Sequence, residues 1–359
     1  MAVYRIYPSK DASIYSKTLA SNVGADSMLE VGRTADGFAI RSLLGFDQEE
    51  IDDVINTLMP TTSSYSASLC LHAAVANEIP TDMALAILPL SESWTEGVGY
   101  FGDVPATTDG VSWKYVNGSI LWSTLGGSVI STVNTNYPNG VYDSTPTSVN
   151  ITGSYVHTYR GSVDMIADVT PYVRATFHGD IENNGVVIKL ASNENIEDSA
   201  TNVKYFSSDS NTIYYPYLQF NWDDSIDNTT LTELDNEVCD IVFKNIKEEY
   251  TDEGKIRVRL HARDRYPAKT YQTSSVYLEN NVLPVGSTWA VKDMATGELA
   301  VDFNSFSTKV SRDNKGSYFD FYMDILNVER YYTFLVKTEI DGNSIVVESD
   351  KIFKVVDNG

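Results

Sequence analysis

Five kinds of residue grouping in this chain could do chemistry. Gly97-Val98-Gly99-Tyr100-Phe101-Gly102 has the spacing GxGxxG, which cradles a pyrophosphate only where it opens a helix inside a βαβ unit. Pro105 and a Thr, Asp and Gly loop follow instead, so no nucleotide site is expected. His72, His157, His178 and His261 are dispersed, and neither a Ser on a nucleophile elbow nor a Cys with a His partner appears as a local signature. Glu92 and Glu96 flank Trp94 and are the residue types of an acid/base couple. Among 49 acidic residues such pairs arise by chance, and Glu96 is expected to fix a loop while Trp94 packs on a sheet. Two binding chemistries remain. Tyr100, Trp113, Tyr115 and Trp122 carry flat aromatic faces that suit the apolar side of a sugar ring, although the two tryptophans are expected rather to pack beneath a loop, which leaves Tyr100 and Tyr115 freer to bind. A hard cation such as calcium takes carboxylate and carbonyl oxygens from loops, with Asp11 and Glu30 as the candidate ligands. No His and Cys spacing supports a transition metal, and no other cofactor is expected.

These residues need a scaffold, and Ser66 to Gly97 shows its type. Ala67, Leu69, Leu71 and Ala73 alternate with Ser68, Cys70 and His72, the period of a half-buried strand. Met83 to Leu90 is almost continuously apolar and predicts a strand buried on both faces. Earlier, Val3 to Tyr7, Ala12 to Tyr15 and Met28 to Val31 predict strands, and Asp36-Gly37 a hairpin turn. Gln48 to Leu58 predicts a helix with Ile51, Val54, Ile55 and Leu58 on one stripe, and Thr170-Pro171 a second, short one with Thr170 as N-cap. The polar but aromatic-bearing region from Gly97 to Tyr155 predicts ordered loops over a sheet end. Strands at Val163 to Ala167, VVIKLAS, Val203 to Ser207 and Tyr214 to Trp222 would close a first domain at 1–224.

The polar tract at 225–236 predicts a linker. Within 237–359, close-spaced strands at Val238 to Phe243, Lys255 to Ala262, Ser274 to Leu278, Ser287 to Lys292, Val301 to Phe303, Tyr318 to Met323, Tyr331 to Glu339 and Ile345 to Val355 predict an immunoglobulin-like sandwich. The fold class is therefore all-β: a jelly-roll-like sandwich, an immunoglobulin-like sandwich, and one or two short helices.

Composition narrows the partners. The 359 residues carry 49 acidic and 26 basic side chains, a net charge of -23, which repels a phosphate backbone. In the one basic cluster, Lys255, Arg257 and Arg259 alternate with Ile256, Val258 and Leu260, as on a solvated strand face, so no nucleic-acid partner is expected. Cys70 and Cys239 make no disulfide framework. No stretch approaches the roughly 20 apolar residues of a membrane span, and MAVYRIYPSKDASIY lacks the apolar core of a signal peptide.

From Tyr4 to Asn221 an ordered set of pieces carries a family resemblance: Lys10-Asp11-Ala12, Asn22 with Gly24, Leu29-Glu30-Val31-Gly32, Arg41 to Leu44 with Phe46-Asp47, Trp94-Thr95-Glu96, Val111-Ser112-Trp113, Trp122 with Gly126-Gly127, Asp168-Val169-Thr170, Asn184-Gly185 and Pro216-Tyr217-Leu218. On these the first domain resembles the DNRLRE-type, carbohydrate-binding-module-96-like β-sandwiches. In YQTSSVYLENNVLP and ERYYTFLVKTEIDGN the second is similar to immunoglobulin-like domains appended to tailed-phage structural proteins. The combination implies a non-enzymatic bacteriophage virion protein made in the host cytoplasm. Its expected form is a homo-oligomeric fibre or adhesin component of neck, tail or capsid surface, touching other virion proteins and a cell-surface glycan. A bacterial carbohydrate-binding module is the alternative, and a polysaccharide-degrading enzyme the third.

Overall fold

A computed structural model describes residues 2–59, 64–77, 82–158, 164–197, 200–266 and 280–358. Two compact units divide the chain, one of residues 5–58 and 64–220, the other of residues 221–358 with 2–4 and 59. The strand expected at Ser274 to Leu278 and most of the YQTSSVYLENNVLP motif lie outside the described residues.

The first unit begins with β1 (Val3–Ile6), β2 (Lys10–Tyr15), β3 (Met28–Arg33), β4 (Ala39–Gly45) and helix α1 (Gln48–Asp53). Strands β5 (Tyr65–Leu71), β6 (Ala73–Asn77) and β7 (Asp82–Pro89) follow. After a long loop region come β8 (Thr132–Thr135), β9 (Thr147–Asn150), β10 (Gly153–Thr158) and β11 (Met165–Asp168). Helix α2 (Thr170–Phe177), β12 (Val186–Leu190), β13 (Thr201–Phe206) and β14 (Tyr217–Trp222) complete it. One sheet has the order β1-β14-β5-β11, and the other β10-β7-β12-β4-β3-β13-β6 with β2 paired to β4. At His72 the chain leaves the first sheet and enters the second, which makes β5 and β6 one bent corner of a sandwich.

The β7 run is half-buried, against expectation. Met83, Leu85 and Ile87 point inward, while Ala84 and Ala86 hold the outward positions. Alanine on the outer face hid the period of two. Helix α1 is also shorter than expected: Asp47 caps it by accepting from the Glu49 amide at 2.9 Å, and past Asp53 the backbone widens into a π-helical turn over Val54–Leu58. In α2 the cap is Val169, not Thr170. The Asp168 carboxylate takes the Thr170 amide at 2.9 Å, freeing the Thr170 hydroxyl to accept from Ala67 of β5 at 2.9 Å.

The second unit contains β15 (Asp227–Asn228), β16 (Cys239–Lys244), β17 (Glu249–Thr251), β18 (Lys255–Asp264), β19 (Thr288–Asp293) and β20 (Leu299–Val301). It ends with β21 (Ser311–Asp313), β22 (Gly316–Tyr322), β23 (Tyr331–Ile340) and β24 (Asn343–Val356). The sheets run β15-β21-β22-β18-β16 and β17-β24-β23-β19-β20, the Greek-key order of an immunoglobulin-type sandwich. Two further marks of that fold are present. Trp289, on the strand equivalent to the third of such domains, is buried against Phe319, 4.9 Å between ring centres. At the start of β23 the Tyr332 hydroxyl turns back to the Asn327 carbonyl at 3.2 Å, as in a tyrosine corner. Residues 225–236, expected as a linker, are held by this unit: Leu234 is buried in its core, and Asp227 and Glu233 both pair with Arg312. The chain is all-β with two short α-helices.

Candidate functional site

On the outer side of the larger sheet of the first unit lies a cleft of about 370 Å³, within the size range of small-ligand sites. Its floor comes from alternating strand positions, with Glu30 on β3, Asn202 and Lys204 on β13, and Tyr15 at the end of β2. In the β13–β3 register Lys204 faces Glu30 and Asn202 faces Gly32. A Cβ at Gly32 would meet the Thr201 carbonyl at 2.0 Å, so only glycine allows β13 to approach this closely. Glu30 is thereby surrounded: it accepts from the Tyr15 hydroxyl at 3.1 Å and from the Asn202 amide, and pairs with Lys204 at 3.5 Å. Burial, and then the Glu30 charge, push the Tyr15 phenol up, so it stays a neutral donor.

The walls combine rings and charge. Phe101 leans on Tyr15 with 5.2 Å between ring centres and is 64% exposed. Phe38 lies under the Lys17 ammonium at 5.3 Å, and Arg33 donates to the Asn193 carbonyl at 2.6 Å. Exposed rings beside fixed donors and acceptors can stack on one face of a sugar while hydrogen-bonding its hydroxyls.

The aromatic residues singled out from the sequence separate here. Trp113 and Trp122 are buried in the core under the loops and offer no free face. Arg41 covers Trp113 at 4.6 Å, and the Trp122 indole donates to the Ser112 carbonyl at 2.9 Å. Tyr115 sits in a turn whose amide is taken by Ser112 at 3.1 Å, with Lys114 over its ring at 5.1 Å. Tyr100 is exposed but does not line the cleft, whereas its neighbour Phe101 does. An isolated Phe among aromatic loop residues carries no signal of its own, which is why the sequence passes over it.

The carboxylates separate too. Asp11 and Glu30, expected together, are apart, because Glu30 belongs to the cleft. Asp11 instead meets Glu96 and Asp209, one oxygen of each lying within 4.8 Å of the others. The Asp11 amide donates to Glu96 at 2.6 Å, and the Ser208 amide to Asp11 Oδ2 at 2.7 Å. Asp11 Oδ1 is buried without a partner. Burial, with the Glu96 and Asp209 charges adding, pushes the Asp11 carboxyl up to about 7 against the Ser208 hydrogen bonds. Burial also raises Glu96, against the bond from the Asp11 amide. The strand carrying Asp11 is locked to the loop carrying Glu96 by Asn22. Its side chain donates to the Glu96 carbonyl at 2.6 Å and the Val111 carbonyl at 2.9 Å, and accepts from Gly99 at 2.9 Å.

Glu92 takes the Ser123 amide at 3.1 Å while Glu96 is engaged by Asp11, so the two acids around Trp94 serve separate loops. Trp94 is buried and donates to the Asn184 carbonyl at 3.0 Å. The Gly97 to Gly102 run opens no helix. Among the histidines, His72 pairs with Asp164 at 3.0 Å, His157 with the Tyr205 hydroxyl at 2.6 Å, and His178 stacks on Tyr137. The Cys70 thiol is pushed up to about 11 by burial and remains protonated at neutral pH. No helix of the described residues is long and apolar enough to cross a membrane.

No family model and no curated protein matches the chain. Among solved structures it is similar to a DUF4785 family protein from Legionella pneumophila, at 7% identity and TM-score 0.22, covering 99% of this chain and 66% of that one. It is also similar to beta-glucuronidase 3 of Bacteroides uniformis, at 9% identity and TM-score 0.19, over 81% of this chain and 27% of the enzyme. A Parabacteroides merdae beta-glucuronidase gives 9% identity and TM-score 0.19 over 98% and 36%. The chain thus spans less than two thirds of each of these proteins, and at such scores the likeness carries no functional argument.

Proposed function

We propose that this chain is a non-catalytic binding and assembly protein, a fibre or adhesin component of a tailed-phage particle, whose first sandwich holds a cell-surface glycan in the Tyr15, Phe38 and Phe101 cleft. The observation that supports the binding half is the cleft itself, about 370 Å³ with the exposed Phe101 ring at its rim over a polar floor. A sugar ring laid on Phe101 would present its hydroxyls to Arg33, Asn202 and Lys204. The phage setting rests on the resemblances of the two domains, and a cell-wall binding module of a bacterium would use the same cleft.

The test is a glycan array probed with the full chain and with Phe101→Ala. The side chain of Phe101 is largely exposed, so the variant should melt as the wild type does. Loss of one stacking ring should weaken binding by about tenfold. Retention of no glycan, or equal retention by the variant, would reject the cleft. Mass spectrometry of purified particles tests the setting separately, and absence of the chain from virions would reject it.

A further inference from the structure

A buried carboxylate oxygen without a partner is a rarity in folded proteins, because its desolvation is uncompensated. Asp11 Oδ1 is such an atom, as are Asp180 Oδ2, Asp264 Oδ1 and Asp324 Oδ1, and of these four residues Asp11 is the one that meets two further carboxylates among the described residues. The Asp11 side chain belongs to a group of three carboxylates drawn from distant parts of the chain: Asp11 on β2, Glu96 after Trp94, and Asp209 in the Ser208–Ser210 turn after β13. We propose that Asp11, Glu96 and Asp209 bind a calcium ion.

The dimensions fit that ion. Calcium bonds to oxygen at about 2.3 to 2.6 Å, so two of its ligands can stand up to about 5 Å apart. The three carboxylate oxygens lie within 4.8 Å of one another. The donors are all hard oxygens, with no imidazole or thiolate in the group. One side-chain cation is near: Lys10 attracts Glu96, but its ammonium donates to the Trp94 carbonyl at 2.7 Å and lies over the Trp94 ring at 4.4 Å, and a single ammonium does not balance three carboxylates. The backbone around the group is already set: a Cβ at Gly24 or Gly110 would meet the Glu96 carbonyl at 2.3 or 2.4 Å. Asp209, the exposed member, leaves an open side where water can complete the six to eight oxygens calcium takes. The ion would tie β2, the Glu96 loop and the β13–β14 connection together. This inference is independent of the glycan proposal.

The experiment uses the full chain stripped with chelator. Calorimetric titration with calcium chloride should show one saturable site, and calcium should raise the melting temperature beyond what sodium chloride of equal ionic strength does. Magnesium, which demands tighter octahedral geometry, should bind more weakly. Asp209→Ala is on the surface and should fold normally, yet lose affinity on the order of tenfold or more. Asp11→Asn keeps the shape and should abolish the response. Calcium binding unchanged in Asp209→Ala would mean diffuse association with an acidic protein and overturn the assignment. So would the lack of saturable binding in the wild type, or a preference for magnesium.

Discussion

The Asp11, Glu96 and Asp209 group of the first sandwich and the arginine-paired acids of the second handle carboxylate charge in opposite ways. In the second, several acids of the β15-β21-β22-β18-β16 sheet are paired with arginines of the chain. Arg257 faces Asp320 across the β18–β22 pair and holds it with bonds of 2.6 and 2.9 Å, and Arg259 holds Asp313 with two of 2.8 Å. Tyr318 lies under both guanidinium groups. Arg330 does the same for Asp293 at 2.6 Å. The basic strand that could be mistaken for a nucleic-acid face is one side of this ladder. In the first sandwich Asp11, Glu96 and Asp209 come together beside the Lys10 ammonium, which attracts Glu96 but donates to the Trp94 carbonyl. Where arginines pair with the acids the charge is balanced within the chain; where one ammonium faces three carboxylates, the proposed calcium would supply the balance.

The largest effect that would sharpen this contrast is expected in acid. Hydrogen bonds and charge from their arginines hold the Asp293, Asp313 and Asp320 carboxyls below the usual range, against the desolvation each suffers. Their folded pKa values lie below the unfolded ones. The stability they contribute is therefore full above the ordinary value of about 4 and is lost as the pH falls through the folded values. Carboxyl-detected NMR on the full chain should place their midpoints below that of a model aspartate. Midpoints at or above it would remove the contrast between the two units.

Next comes Arg312, whose side chain is 10% exposed and joins Asp227, Glu233 and, at 3.4 Å, the Leu283 carbonyl. Arg312→Met should cost about 2 kcal/mol, the worth of a charge-assisted hydrogen bond or two made by a buried guanidinium to exposed carboxylates. Hydrogen exchange should rise across 226–234, since this residue holds that tract to β21. Unchanged exchange there would show that Leu234 alone fixes it.

Much of the framework was legible because turns and alternation are local. Asp36-Gly37, with Gly37 at φ 77°, joins β3 to β4, and Asp341-Gly342 joins β23 to β24. The β7 strand misled because alanine is apolar by type yet small enough to sit exposed. The candidate sites were half legible. Asp11 and Glu96 each drew notice for their own chemistry, but their meeting is set by the pairing of β2 with β4 and by the Asn22 staple, neither of which has a sequence signature. Asp209 is brought to them by a turn whose amide binds Asp11 from 197 positions away. Glu30 was a reasonable cation ligand by type. Its place opposite Lys204 is a matter of register, and register between strands so far apart in sequence cannot be read from either one.

The smallest effect tests how much the ladder itself matters. Arg257 is about half exposed and Asp320 only partly buried, with side-chain values of 48% and 15%. Solvent screens such a pair, and ordering a long side chain offsets part of the attraction. A double-mutant cycle with Arg257→Leu and Asp320→Leu should therefore return a coupling below about 1 kcal/mol, shrinking further in high salt. Lys255 also reaches Asp320, at 3.3 Å, and would take over part of the charge when Arg257 is removed. A coupling well above 1 kcal/mol that resists salt would mean that the ladder is a structural brace equal to Arg312. The second sandwich would then depend on its internal cations as strongly as the first is proposed to depend on calcium.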